Sequence, residues 1–279
     1  MKNYMFAAVL TVSVFLLAFA PSKEIVTVKG SDTMVILSQK WAESFMKKNP
    51  GIVIQVTGGG SGTGVSALIN GTTDVCNSSR PMKKSEIDKI KAKYNTAGIE
   101  IPCALDGITI YVHESNPVKS LTLQQLSDIY QGKVTNWKQV GGPDAKIVLY
   151  GRENSSGTYV YFMEEVVKGD FASRTQTLPG TAAIVNAVKK DRLGIGYGGA
   201  AYSKGVKKLA VAKDATSPAV MPDEKNITDN SYPISRYLYM YTVKRPEGAV
   251  KKFIDWTLSP EGQKLVAELG YFPAKKTTK

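Results

Sequence analysis

The chain has one histidine, His113, and two cysteines, Cys76 and Cys103. So few nitrogen and sulfur ligands nearly exclude a structural zinc site, and no metal is expected. Catalysis is poorly supplied too. The loop Gly59-Gly60-Ser61-Gly62-Thr63 lacks the last glycine of a nucleophile elbow. Its only candidate base would be His113, and a Ser-His-Asp arrangement needs all three groups in register. No Gly-x-x-x-x-Gly-Lys-[Ser/Thr] loop is present, so nucleotide chemistry has no anchor. The expectation is a protein that is not an enzyme and has no cofactor.

Long apolar runs are absent after the first twenty residues. Lys2 followed by the run Met5 to Ala20, closing on Ala18-Phe19-Ala20, has the form of an export signal. Pro21 shifts the expected cut by a residue or two, and residues 1–22 are read as the signal peptide. The run is short for a membrane span. No cysteine stands near the junction to carry a lipid. A soluble periplasmic or extracytoplasmic protein is expected. In that setting Cys76 and Cys103 either form a disulfide or stay as two buried thiols, and both readings remain open.

Aromatic interleaving of the basic residues is also missing. The net charge is +12, but the lysines are scattered over what read as solvated helix faces, so no nucleic acid partner is expected. With 279 residues, 43% of them hydrophobic and 22% charged, the composition fits two modest domains. A monomer is expected.

Present instead are three strand–polar turn–helix units. In the first, Glu24 to Lys29 leads into Gly30-Ser31-Asp32-Thr33, and Met34, Leu37, Trp41 and Phe45 recur at helical spacing. In the second, Ile52 to Val56 leads into Thr57-Gly58-Gly59-Gly60-Ser61-Gly62-Thr63-Gly64 and a helix. In the third, Lys146 to Tyr150 leads into Gly151-Arg152-Glu153-Asn154-Ser155-Ser156-Gly157-Thr158 and a helix over Tyr159 to Lys168. A helix start offers unpaired N–H groups and a positive dipole end. Hydroxyls and Arg152 add donors suited to an oxyanion. The plain alternative for the third is an ordinary Ser-capped helix beside a surface arginine. The repeat of Ser-Gly-Thr in the second and third units favours one anion held between two halves. Asp32 needs an explanation, because a carboxylate aimed inward would repel that anion.

Between these units, Val75-Cys76 runs into Asn77-Ser78-Ser79-Arg80-Pro81, and Ile99 to Val112 reads as a long strand interrupted at Asp106-Gly107. An acid inside an apolar strand is costly unless paired. Asp106 is read either as a partner of Arg80 or as an acceptor facing the ligand. Residues 206–228 read mostly as loop. Ser235 to Val243 reads as a strand back to the first half, followed by two amphipathic helices. The alternation defines an α/β protein of mainly parallel sheets flanked by helices. The lobes are expected at 23–113 plus 236–279 and at 114–235.

The ordered set Gly30-Ser31-Asp32-Thr33-Met34, Gly60 to Gly64, Ser78-Ser79-Arg80-Pro81, Asp106-Gly107-Ile108, Leu121-Thr122-Leu123, Thr135-Asn136-Trp137, Arg152 to Thr158, Gly194 to Tyr197 and Gly270-Tyr271-Phe272-Pro273 resembles the phosphate-binding proteins of bacterial phosphate-specific ABC transporters. The resemblance covers essentially the whole mature chain. It implies a two-lobed type II periplasmic-binding-protein fold with inorganic phosphate in the interlobe cleft and a membrane permease as partner. It implies ligands from Thr33, Met34, Ser61 and Ser79 on one side and Arg152, Ser156, Gly157 and Thr158 on the other. Asp106, Arg80 and Asn154 would be a proton acceptor or supports behind the ligands. Family members often carry an acid where Ser79 stands, to accept the proton that phosphate keeps and sulfate lacks. Some carry an acid at Asn154 that pairs with the arginine, so Arg152 is expected to be less neutralised here. Sulfate, molybdate, tungstate and arsenate remain alternative ligands.

Overall fold

The structure, a computed structural model, describes residues 23–274. The expected signal peptide lies outside them. Strand β1 (Glu24–Gly30) buries Val26 and Val28 on one face, as period-two alternation requires. A short 3-10 turn at Asp32–Met34 leads into α1 (Val35–Lys48), whose Leu37, Trp41 and Phe45 enter the core. Then come β2 (Ile52–Thr57), α2 (Ser61–Asn70), β3 (Val75–Ser78), α3 (Lys84–Tyr94) and the long β4 (Ile99–Val112). The second half holds β5 (Ser120–Thr122), α4 (Leu123–Tyr130), β6 (Val148–Arg152), α5 (Gly157–Phe162), β7 (Gln176–Leu178), α6 (Gly180–Lys190), β8 (Gly194–Gly199), β9 (Lys207–Ala212) and α7 (Glu224–Thr228). The chain closes with β10 (Ser235–Thr242), α8 (Gly248–Thr257), α9 (Pro260–Glu268) and β11 (Phe272–Pro273).

The sheet runs β2-β1-β3-β10-β4-β8-β6-β7, with β11 and β9 also on β4, and β5 on β9. The outer strands are parallel: β1 with β2 and β3, β6 with β7 and β8. The crossing strands β4 and β10 run antiparallel to their neighbours. Strand β4 joins the two halves. Its residues Ile99 to Gly107 pair with β10, and Ile108 to Val112 pair with β8. It is continuous through Asp106-Gly107, where the sequence suggested an interruption.

Each half has its own core. One gathers Trp41, Phe45, Leu238 and Phe253; the other gathers Tyr130, Trp137, Phe162 and Tyr197. Phe162 stacks on Tyr197 at 4.0 Å between centroids. The indoles of Trp41 and Trp137 donate to Gly262 O and Leu193 O, so their polar edges are satisfied inside the cores.

One further reading of the sequence is corrected, and two open ones are decided. The 206–228 stretch contains β9 and α7, because Leu209 and Val211 pack inward beneath the lysines. Cys76 and Cys103 are free buried thiols, not a disulfide. Their strands are not neighbours, since β10 lies between β3 and β4. The pairing of Asp106 with Arg80 does not occur either; Asp106 pairs with Arg236. Residues Gly194–Gly199 have the spacing Gly-x-Gly-x-x-Gly, but wholly within β8 and not at a strand-to-helix turn where it would cradle phosphates.

Candidate functional site

Ligands of open α/β sheets bind beyond the carboxyl ends of the strands. Four such ends converge here. Thr33 follows β1, Ser61 follows β2, Ser79 follows β3, and Arg152 ends β6, with Glu153 to Thr158 following it. Thr33, Ser61, Ser79, Arg152, Ser156 and Thr158 are all buried.

The two halves meet through these residues. Thr33 Oγ1 and Thr158 Oγ1 are 2.8 Å apart and share a hydrogen bond. The Gly62 N–H donates to Ser155 O at 2.9 Å. Ser61 Oγ accepts from the Ser79 N–H at 3.0 Å and lies 3.3 Å from Ser79 Oγ. Two glycines permit the approach. A Cβ on Gly157 would stand 2.2 Å from Ser61 Oγ, and one on Gly60 would stand 2.5 Å from Ser155 O. Gly60 also has a φ of 92°, which disfavours any side chain.

The remaining expected residues divide. The Ser156 hydroxyl caps α5 by accepting from the Tyr159 N–H at 3.2 Å. Met34 sends its side chain into the first core, and its N–H donates to Ser31 O. In the first turn of α5, the N–H groups of Gly157 and Thr158 have no acceptor within their own helix.

Arg152 is more fully neutralised than the sequence suggested. Its Nε donates to Glu153 Oε2 at 3.1 Å, and its Nη2 donates to Glu153 Oε1 and Asp32 Oδ2, each at 2.8 Å. Its Nη1 donates to Thr181 Oγ1 at 3.0 Å. Glu153 therefore supplies the acid that Asn154 does not, and Asn154 is exposed. Burial acts to raise the Glu153 carboxyl, but the hydrogen bonds from Arg152 hold it below its ordinary value. Asp32 is turned toward Arg152 and the Gly59 N–H, which resolves the concern about repulsion.

Arg80 forms a two-pronged pair with Glu86, at 2.8 and 2.7 Å. His113 bonds Ser115 two residues along. Among the described residues no His, Cys, Asp and Glu group is arranged to hold a metal ion.

Arg236, missed by the sequence reading, enters the site from β10. It stands opposite Asp106 in the strand register. Its Nε and Nη2 donate to Asp106 Oδ2 at 3.2 and 2.9 Å, and Nη1 donates to Ser79 O at 2.8 Å. Nη2 also reaches Thr158 Oγ1 at 2.9 Å. Burial pushes the Asp106 carboxyl up, and the Arg236 charge works against that shift. The signal was available: Arg236 shares strand parity with Leu238 and Met240, so it belongs to the buried face.

Two lobes bridged by crossing strands, with helix starts from each meeting in a buried polar cluster, define a periplasmic-binding-protein architecture. Residues 18–261 match the PBP superfamily domain, and the chain belongs to that superfamily. Within it, the chain is 37% identical over 262 residues to the phosphate-binding protein PstS of Pseudomonas aeruginosa, covering 88% of this chain and 81% of that one. Among solved structures, it is similar to a putative phosphate ABC transporter substrate-binding protein with bound phosphate from Clostridium perfringens. The TM-score is 0.83 and the identity 32%, over 90% of this chain and all of that one. It is also similar to an ABC-type phosphate transport receptor from Vibrio cholerae, with a TM-score of 0.73 and 29% identity, over 90% and 100% of the two chains.

Proposed function

We infer that this chain captures inorganic phosphate between its lobes and delivers it to the permease of an ABC transporter. One observation carries the reading: hydroxyls from opposite lobes, Thr33 and Thr158, meet in a buried cluster with guanidinium groups beside it. The relatives named for phosphate supply the ligand class. The protein acts by binding and not by catalysis, outside the cytoplasmic membrane, after export on residues 1–22.

We assign the ligand set to Thr33, Ser61, Ser79 and Thr158 through their hydroxyls, to the first-turn N–H groups of α5, and to Arg152. Charge-assisted bonds to a desolvated anion are about twice as strong as neutral ones, so a handful suffices. Asp106 and Arg80 act as supports behind this set. The sequence-level lobe boundary at residue 113 moves in this reading to about Gly107, where β4 changes partners. Entry of the anion requires the lobes to part, with β4 and β10 as the flexing connection. Calorimetric titration with phosphate, sulfate, molybdate, tungstate and arsenate tests the function. Phosphate should bind most tightly, with arsenate, its nearest isostere, next. Tighter binding of sulfate or molybdate than of phosphate would replace this reading with another oxyanion.

A further inference from the structure

We propose that Arg236 is a second anion-contacting arginine of this site, presented by the strand that joins the lobes. The inference rests on the phosphate reading and deepens it.

The two buried arginines are engaged differently. Arg152 meets two carboxylates, Asp32 and Glu153, which together outweigh its single charge. Arg236 meets one carboxylate, Asp106, in a pair whose side chains are both almost wholly buried. That pair is neutral overall but oriented. Asp106 Oδ1 is turned away to accept from the Ala200 N–H at 3.2 Å, while Arg236 Nη2 is turned toward the hydroxyls. It lies 2.9 Å from Thr158 Oγ1 and 3.5 Å from Thr33 Oγ1. Those are the two hydroxyls that meet across the lobes at 2.8 Å. An oxyanion bridging them would stand within reach of the same nitrogen.

The setting holds that nitrogen in place. Nη1 is tied to Ser79 O, and the guanidinium carbon lies 5.7 Å from the centre of the Tyr161 ring. The Tyr161 hydroxyl in turn donates to Ser235 O at 2.8 Å, beside Arg236 in the chain. A planar guanidinium fixed on three sides costs little further ordering when it meets an anion. The positive end of the Arg236–Asp106 pair faces the hydroxyls, and low surrounding dielectric strengthens it.

The test compares the parent with Arg236→Lys and with the double variant Arg236→Met/Asp106→Asn, which removes the pair without leaving a buried charge unpaired. Each is titrated with phosphate by calorimetry and melted with and without phosphate. Arg236→Lys should bind phosphate about tenfold more weakly and the double variant about a hundredfold more weakly, since lysine cannot hold the fork geometry. The phosphate-induced rise in melting temperature should shrink in the same order. Phosphate affinity within threefold of the parent in Arg236→Lys overturns the proposal; if the double variant does not fold, the lysine variant decides. A parent that takes up no phosphate defeats the functional reading itself, which separates the two failures.

Discussion

Asp32 Oδ2 accepts a 2.8 Å hydrogen bond from Arg152 Nη2, and so ties the turn after β1 in one lobe to the end of β6 in the other. Asp32 also receives the Gly59 N–H, and its own carbonyl accepts from the Tyr202 hydroxyl at 2.7 Å. One residue therefore links three segments around the mouth of the site. Removing one partner of a buried charge pair typically costs about 2–5 kcal/mol. Glu153 remains to hold Arg152, so the lower end applies. Asp32→Asn should weaken phosphate binding by about tenfold or more, mainly through faster release, as read by stopped-flow displacement.

Gly157 sets how closely the lobes meet. A Cβ there would overlap Ser61 Oγ at 2.2 Å. Gly157→Ala should leave each lobe folded, with a melting temperature near the parent's in the absence of ligand. It should cut phosphate affinity by roughly a hundredfold or more, because closure is blocked rather than one bond removed. Calorimetry and thermal melting on the same sample check both halves of this expectation.

Much of this candidate site was legible because its turns are local. Ser61-Gly62-Thr63 and Ser156-Gly157-Thr158 announce themselves as small-residue helix starts after apolar strands. Arg236 did not, because its importance depends on which strand lies beside β4, and strand order is not written in a local pattern. The same gap explains the cysteines. Cys76 and Cys103 sit on strands that look like neighbours until β10 is inserted between them. Strand β9 was hidden for another reason: Lys207 and Lys208 mask the start of a short alternation whose large core residues are Leu209 and Val211.

The thiols give a chemical check. Burial pushes both Cys76 and Cys103 up, away from the reactive thiolate. The native protein should react negligibly with a thiol reagent, and denaturant without reductant should release two reactive thiols per chain. Release of none would restore the disulfide.

Acid should destabilise the fold. Arg152 holds Glu153 below its ordinary value, and Arg80 likewise holds Glu86 down, in each case against burial. A carboxyl depressed in the folded state contributes stability that is fully present above its unfolded value and is lost as pH falls through the depressed one. Melting temperature should therefore fall as pH drops from about 5 toward 3. Glu153→Gln should flatten part of that fall, since its carboxyl no longer titrates.

Ser79 offers a gain-of-function test. Its hydroxyl lies 3.3 Å from Ser61 Oγ, so a carboxylate there would face the bound anion. It would accept a proton from phosphate and repel sulfate, which has none to give. Ser79→Asp should raise the ratio of phosphate to sulfate affinity by about tenfold or more in competition titrations near neutral pH.

The most direct measurement pairs one hydroxyl from each lobe. Phosphate is titrated calorimetrically into the parent, Ser61→Ala and Thr158→Ala, with melting curves to confirm folding. The expected result is one phosphate per parent chain, and an affinity at least about fivefold weaker in each variant, as loss of a hydrogen bond to a charged group implies. No phosphate uptake by the parent, or a loss confined to the variant of a single lobe, would contradict it.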